Sequence, residues 1–328
     1  MNLSVAFWLF GAGLALLALG GEAVIWGGVT LKRVLGASPV IIGLFAISLG
    51  TSSPVLSVAV TAATVNLPDI AIGTAIGATL INLLLILGLG ALIRPMPSAP
   101  KVVLRDGGAL LAASAILIAV AWHGAIGRRE GVFLLGAFVI YAIGLAVSDW
   151  RRSPDHSVAC AEAEKRSFGA PSAAGGIFAL IAGVICLVIG AHFTVGGALS
   201  LAATRNLPPS IVAMTVVALG ASLPVLAITT VAALRGYTNI AIGHLMTASV
   251  FNLLGALGIA ALVRPLTISA IFAQLHVYAV LGAVVLLLPL LSTSWRLSRP
   301  KGALLMLAYA GYLGFIAWHL GLLPHIAA

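Results

Sequence analysis

The stretch that decides the fold occurs twice in the chain, as GTSSPVL at residues 50–56 and as GASLPVL at residues 220–226. Each copy places a proline, Pro54 or Pro224, inside a long apolar run. A proline within a helix removes one backbone hydrogen bond and clashes with the carbonyl four residues earlier, which here belongs to a glycine in both copies. Inside a membrane, a carbonyl released in this way needs a polar surrounding built by the protein. The two copies therefore predict a pair of broken helices around a polar cavity, and the alternative is a tolerated kink capped by the Thr51 or Ser52 hydroxyl.

The similarity extends beyond the prolines, because the second half of the chain aligns with the first without a gap when Pro224 is placed on Pro54. In this repeat alignment DIAIG at 69–73 aligns with NIAIG at 239–243. Apolar runs predict five spans on each side of one polar segment. An odd number of spans makes the second copy enter the membrane from the opposite face, as in the inverted repeats of secondary transporters. We therefore expect an all-α polytopic membrane protein of ten helices, divided into a first repeat, a linker and an inverted second repeat: 1–148, 149–171 and 172–328.

Composition supports a membrane protein and excludes other classes. The chain is 61% hydrophobic and 8% charged, far from the usual balance of globular domains. Its 17 Lys and Arg residues are scattered over short loops and form no patch for nucleic acid. The sequence has no phosphate-binding glycine loop and no nucleophile–base arrangement, and Cys160 and Cys186 match no metal-ligand spacing. We expect no enzyme activity and no cofactor.

The loop cations predict how the chain is oriented. Four of the Lys and Arg residues fall on the face reached after an even number of spans: Arg128, Arg129, Arg205 and Arg264. The other thirteen, which include Arg105, Arg296 and Lys301, fall on the opposite face, called here the cation-rich face. By the positive-inside rule this face is cytoplasmic. The sequence thus predicts an inner-membrane protein with a cytoplasmic linker and with both termini periplasmic or exterior.

The two core stretches resemble those of the calcium/cation antiporter superfamily, which includes the sodium/calcium exchangers. That family reads G-T-S-x-P-E-L and then D-I-A-x-G-N-x-x-G-S-N-x-F-N in each repeat. Here the second part reads DIAIGTAIGATLIN at 69–82 and NIAIGHLMTASVFN at 239–252. The resemblance implies the sodium/calcium exchanger fold and an antiporter that works by alternating access.

The resemblance also implies which residues bind the transported ion, and one departure from it matters. In the family, a glutamate after each proline is the central calcium ligand, and here Val55 and Val225 replace both. Calcium takes six to eight oxygens including carboxylates, so calcium is not the expected substrate. Carried over by position, the substrate or ion site comprises Gly50, Thr51, Ser52, Val55, Thr79, Asn82, Gly220, Ser222, Val225, Ser249 and Asn252. A sodium ion is expected at Thr51, Ser52, Asn82, Ser222 and Asn252.

Three titratable residues are candidates for proton coupling. Glu22 lies within the first span, and His192 occupies the same repeat position in the second half. His244 lies in the stretch at 239–252 and aligns with Thr74 of the first repeat. An ionisable group within a membrane span marks a functional site by default. The alternatives are a Glu22 that reaches the membrane surface or pairs with a nearby cation, and a His244 that is bonded to a core carbonyl.

The leading hypothesis is a secondary-active antiporter coupled to Na⁺ or H⁺, with its site at the midplane between the second, third, seventh and eighth spans. One alternative is a non-transporting sensor or assembly subunit that kept the exchanger scaffold. Another is an exporter of an organic or lipid-linked solute, which the two valines suit. The expected partners are the lipid bilayer and a small ion or solute, with no nucleic acid, and the sequence leaves the oligomeric state open.

Overall fold

The computed structural model describes residues 3–35, 39–150, 172–204, 208–235 and 238–319, and these residues form ten helices, some of them with irregular turns. In the first half they are α1 (Leu3–Leu35), α2 (Pro39–Thr64), α3 (Pro68–Leu80, Ile81–Ile86 and Leu87–Ile93), α4 (Pro100–Ala121) and α5 (Arg128–Trp150). In the second half they are α6 (Ala173–Thr204), α7 (Pro209–Val212, Ala213–Val217, Ala218–Ala221 and Leu223–Arg235), α8 (Thr238–Val250, Phe251–Ala256 and Leu257–Val263), α9 (Phe272–His276 and Val277–Ser292) and α10 (Arg299–His319). From residue 151 onward, the expected linker lies outside the described residues.

The length and composition of the helices agree with a multi-pass membrane protein. Among the described residues, eight helical stretches are long and apolar enough to cross a membrane, and Pro209–Ala221 of α7 is a shorter apolar helix. With 26 residues, α2 also exceeds the roughly 20 residues that a span needs. The helices α3 and α8 are buried along most of their length. They form the centre of the fold, and the other spans surround them.

The longest helices, α1 and α6, pack against each other through glycines. A Cβ atom added to Gly20 would lie 2.9 Å from the carbonyl oxygen of Gly183, and one added to Gly27 would lie 2.8 Å from that of Gly176. Because the partner number falls as the α1 number rises, the two helices run antiparallel. Small residues that let backbones approach closely are the usual device for helix packing in membranes. This contact joins the first half of the chain to the second.

Two short strand pairs also join the halves. The strand β1 (Met96–Pro97) pairs with β4 (Arg296–Leu297), and β2 (Ala125–Ile126) pairs with β3 (Leu266–Thr267), both antiparallel. Each pair takes one strand from each half of the chain. In the repeat alignment β1 and β3 are equivalent, yet they belong to different pairs. This exchange is what two inverted copies of one unit produce, since equivalent loops then lie on opposite faces.

Candidate functional site

Two asparagines lie at equivalent points of α3 and α8, each in a turn where the helix widens to the π form. Asn82 lies in Ile81–Ile86, and Asn252 lies in Phe251–Ala256. Both side chains are 1% exposed. Single π turns inside α-helices are frequent at functional sites because they alter backbone pairing locally. The structure therefore gives the two halves matching polar points within buried, apolar helices.

The two proline corners meet at one spot on α1. A Cβ atom added to Gly21 would lie 3.4 Å from Cγ of Pro54 and 3.5 Å from Cγ of Pro224. Val55 and Val225 follow the prolines, and only 2% and 3% of their surfaces are exposed. The structure thus brings the equivalent corners of α2 and α7 together beneath α1, with both valines buried beside them.

The two halves differ at the corner itself. The helix α2 runs without interruption through its proline, because the Ser53 hydroxyl donates to the Gly50 carbonyl at 2.6 Å and replaces the missing backbone donor. The equivalent residue in α7 is Leu223, which has no hydroxyl, and α7 is interrupted at Ser222, next to the buried Gly220. The expectation of two broken helices with two free glycine carbonyls is therefore wrong for α2 and Gly50.

Several polar side chains at the centre of the fold are buried without a hydrogen-bond partner among the described residues. Leaving such a group unpaired costs about 1–3 kcal/mol. Buried polar groups are normally hydrogen-bonded, so each of these oxygens calls for a partner such as a bound ion or water. These oxygens are Ser52 Oγ, Thr74 Oγ1, Asn82 Oδ1, Ser222 Oγ and Asn252 Oδ1.

Two further predicted site residues bond to their own helices. The Thr79 hydroxyl donates to the Ala75 carbonyl at 2.9 Å, and the Ser249 hydroxyl donates to the Leu245 carbonyl at 2.7 Å. Both side chains are fully buried. Since each hydroxyl proton is used within the helix, only the oxygen lone pairs of Thr79 and Ser249 remain for a cation.

His244 of α8 is a titratable residue that the structure places beside the corner of α2. Its Nε2 atom lies 3.4 Å from the Thr51 hydroxyl oxygen, a long contact in which the tautomer decides the donor. The His244 side chain is 6% exposed, and Thr51 is fully buried. The imidazole thus links the second repeat to the hydroxyls that precede Pro54.

Glu22 and His192 do not form a pair. Both side chains are exposed. The antiparallel contact of α1 with α6 places Gly20 between Gly183 and Leu187, so Glu22 and His192 stand about nine positions apart along the contact. At about 1.5 Å per residue this is a separation of about 13 Å. A direct proton exchange between the two side chains does not fit this geometry.

Thr74 is a buried polar residue of the centre that the sequence prediction did not include. It occupies the position equivalent to His244, where the family motif has an asparagine, and that equivalence was the available signal. Among the described residues, no group of three or more His, Cys, Asp or Glu side chains could share a metal ion. The oxygens of the centre are therefore those of neutral hydroxyls and amides.

Two five-helix halves that exchange loop strands and enclose a buried polar centre define a multi-pass membrane transporter. The chain belongs to the sodium/calcium exchanger family of membrane cation antiporters, because the sequence profile described as "Sodium/calcium exchanger protein" matches residues 5–147 and 175–318. This assignment confirms the family and the fold expected from the sequence.

Relatives and solved structures agree with the assignment. The chain is 32% identical to the inner membrane protein YrbG of Escherichia coli over 93% of both chains. It is 28% identical to the putative antiporter CaxA of Alkalimonas amylolytica, over 92% of this chain and 95% of that one. Structures of the sodium-calcium exchanger NCX_Mj superpose with a TM-score of 0.63 at 25% identity and cover 95% of this chain and 99% of theirs.

Proposed function

We propose that this protein exchanges Na⁺ for H⁺ across the inner membrane by alternating access and does not carry calcium. The observation that carries the proposal is the set of five buried, unpartnered oxygens at the centre of the described part of the chain. Neutral hydroxyl and amide oxygens can replace the water around a single positive charge. The proposed ligands are these five oxygens, which belong to Ser52, Thr74, Asn82, Ser222 and Asn252.

Calcium is excluded from the proposal because the residues that follow the two prolines carry no charge. Val55 and Val225 stand where the family has glutamates, and both are buried. A divalent ion taken out of water without a compensating charge costs many kcal/mol. Hydroxyls and amides alone do not offset that cost, whereas a monovalent ion makes a smaller demand.

Proton coupling is assigned to His244, because its imidazole shares the site with the Thr51 hydroxyl. Two unit charges about 4 Å apart repel by about 4 kcal/mol at an effective dielectric constant of about 20, or about a thousandfold in affinity. A protonated His244 and a bound Na⁺ therefore exclude each other. Binding of one cation releases the other, which is the requirement for electroneutral exchange.

Sodium binding to the purified protein at a series of pH values tests this proposal. We expect Na⁺ affinity to rise with pH, since deprotonation of His244 removes the competing charge. A His244→Gln variant keeps a polar side chain that does not titrate, so its Na⁺ affinity should be independent of pH. Equal pH dependence in both proteins contradicts the assignment of His244.

The second half of the test is flux. In proteoliposomes that contain a pH-sensitive dye, an outward Na⁺ gradient should acidify the lumen, and an outward Ca²⁺ gradient should not. Calcium-driven flux would show that the site has been misread. Absence of Na⁺ binding and of flux would favour the non-transporting alternative.

A further inference from the structure

Asp106 of α4 is a fully buried carboxylate outside the proposed ion site. Its neighbour Arg105 holds it, with Nε 2.6 Å from Oδ1 and Nη2 3.0 Å from Oδ2. The Arg105 side chain is 28% exposed, whereas that of Asp106 is 0% exposed. Since Arg105 belongs to the cation-rich face, this pair connects the helix interior to the expected cytoplasmic side.

Two hydroxyls extend this pair toward the centre of the fold. The Tyr141 hydroxyl of α5 lies 3.1 Å from Asp106 Oδ1 and 3.0 Å from the Thr247 hydroxyl of α8. The carboxylate can only accept, so Tyr141 donates to Asp106 and Thr247 donates to Tyr141. The result is a directed chain of hydrogen bonds across three helices.

This chain of hydrogen bonds ends next to the proposed proton site. Thr247 lies three residues after His244 on α8, which places both on the same face with Cβ atoms about 5–6 Å apart. A Cβ atom added to Gly243 would lie 3.8 Å from Asp106 Oδ2, so the carboxylate also faces α8 beside His244.

The equivalent place in the other half lacks this continuity. In the repeat alignment His276 replaces Asp106, and its Nδ1 lies 2.9 Å from the Tyr312 hydroxyl. Gly77 replaces Thr247 and offers no hydroxyl. The Tyr312 hydroxyl instead lies 3.9 Å from the sulfur of Met214, a thioether without an exchangeable proton. The hydroxyl chain therefore exists on one side of the protein.

We propose that Thr247, Tyr141 and Asp106 form the path by which the proton of His244 reaches the cation-rich face. This inference rests on the proposed function. The imidazolium gives its proton through one water to Thr247, Thr247 gives its own to Tyr141, and Tyr141 gives its own to Asp106. Each hydroxyl loses one proton and gains one, the imidazole becomes neutral, and the carboxylate becomes a carboxylic acid that releases its proton beside Arg105.

The surroundings of Asp106 suit a transient proton acceptor. Arg105 of its own helix faces it with a positive charge, Tyr141 faces it from α5, and Thr247 faces Tyr141 from α8. On the α9 side the neighbouring Gly107 packs against the apolar Leu288. The positive charge of Arg105 favours return of the carboxylate, so the acceptor is reset after each transfer.

The test compares two kinds of flux through the whole protein in proteoliposomes. Tyr141→Phe and Thr247→Val remove one hydroxyl each and keep the packing volume. We expect both to slow Na⁺-driven proton flux by about tenfold or more and to leave radioactive ²²Na⁺/Na⁺ exchange unchanged, since that exchange moves no proton. Tyr312→Phe is the matched control and should change neither flux.

The possible results separate the path from the function on which it rests. Wild-type protein that exchanges neither Na⁺ nor protons overturns the proposed function and the path with it. If the wild type carries out both exchanges and Tyr141→Phe does so at the same rates, the path alone is wrong. If Tyr141→Phe slows both fluxes equally, the tyrosine only supports the structure, and the path is also rejected.

Discussion

At the scale of single residues, Asn82 and Asn252 decide whether the centre of the fold is a binding site. Each presents a buried amide oxygen with no hydrogen-bond partner among the described residues. An ordinary interhelical hydrogen bond in a membrane contributes only about 0.6 kcal/mol. An asparagine kept for stability would therefore be replaceable at little cost.

Replacing either asparagine by alanine should abolish Na⁺ binding while the protein stays folded. The reason is that each change removes one of the few oxygens available to the ion, and a desolvated cation is sensitive to every ligand lost. Na⁺-dependent thermal stabilisation of the purified variants measures the effect, with gel filtration as the check of folding. Wild-type Na⁺ response in both Asn82→Ala and Asn252→Ala would rule out the midplane site.

The two valines make a complementary prediction. Changing Val55 and Val225 together to glutamate places two negative charges at the corners that meet beneath Gly21, and carboxylates are the ligands that Ca²⁺ prefers. We expect the double variant to bind Ca²⁺ saturably, measured by isothermal titration calorimetry, and the wild type to show no binding. Changing both valines to glutamine is the matched control, because it adds the same volume without charge. Calcium binding by the glutamine variant would show that charge is not the reason.

At the scale of helices, the packing of α1 against α6 can be tested separately from the ion site. A Cβ atom at Gly20 would lie within 2.9 Å of backbone atoms of α6, whereas one at Gly11 of the same helix would meet nothing within 4 Å. Backbone contacts of this kind cannot be relieved by turning a side chain. Overpacking of this type costs about 1–3 kcal/mol.

Gly20→Ala should lower the stability of the protein, and Gly11→Ala should leave it unchanged or raise it slightly, since alanine favours helix over glycine. Apparent melting temperatures in detergent compare the two variants directly. A melting temperature for Gly20→Ala equal to that of Gly11→Ala would mean that α1 and α6 pack less closely than the structure shows.

The sequence predicted the helices and their pairing better than their local departures from regularity. The repeat alignment shows the ten spans and the equivalence of the two proline corners directly. That α2 stays continuous depends on the Ser53 hydroxyl, which donates to the Gly50 carbonyl, whereas the sequence favoured Thr51 or Ser52 for such a cap. The π turns in α3 and α8 were not predictable by period, because both helices are buried on nearly all sides and show no apolar stripe. The contacts of Asp106 with Tyr141 and of Tyr141 with α8 join residues far apart in the chain, which no spacing reveals.

At the scale of the whole molecule, the strand pairs and the loop charges both bear on which face of the membrane each loop occupies. The pair of β1 with β4 lies between loops on the cation-rich face, and the pair of β2 with β3 lies between loops on the other face. Some cations of the cation-rich face also stabilise helix ends: Arg299 Nε donates to the Leu92 carbonyl at 3.1 Å, and Lys301 Nζ donates to the Leu290 carbonyl at 2.7 Å. Favourable charge at helix C-termini accounts for part of the bias, so the orientation needs a test of its own.

The chain offers that test through its two cysteines. In a Cys186→Ser background, Cys160 of the predicted linker should react with a membrane-impermeant maleimide only after the cells are opened, because thirteen of the seventeen cations share its face. Arg129→Cys in a background without Cys160 and Cys186 is the matched control: residue 129 is exposed at the start of α5 on the opposite face and should react in intact cells. Labelling of Cys160 in intact cells, with Arg129→Cys protected, would invert the orientation. The proposed proton path from His244 through Asp106 would then open to the exterior, so this measurement also decides on which side the proton is released.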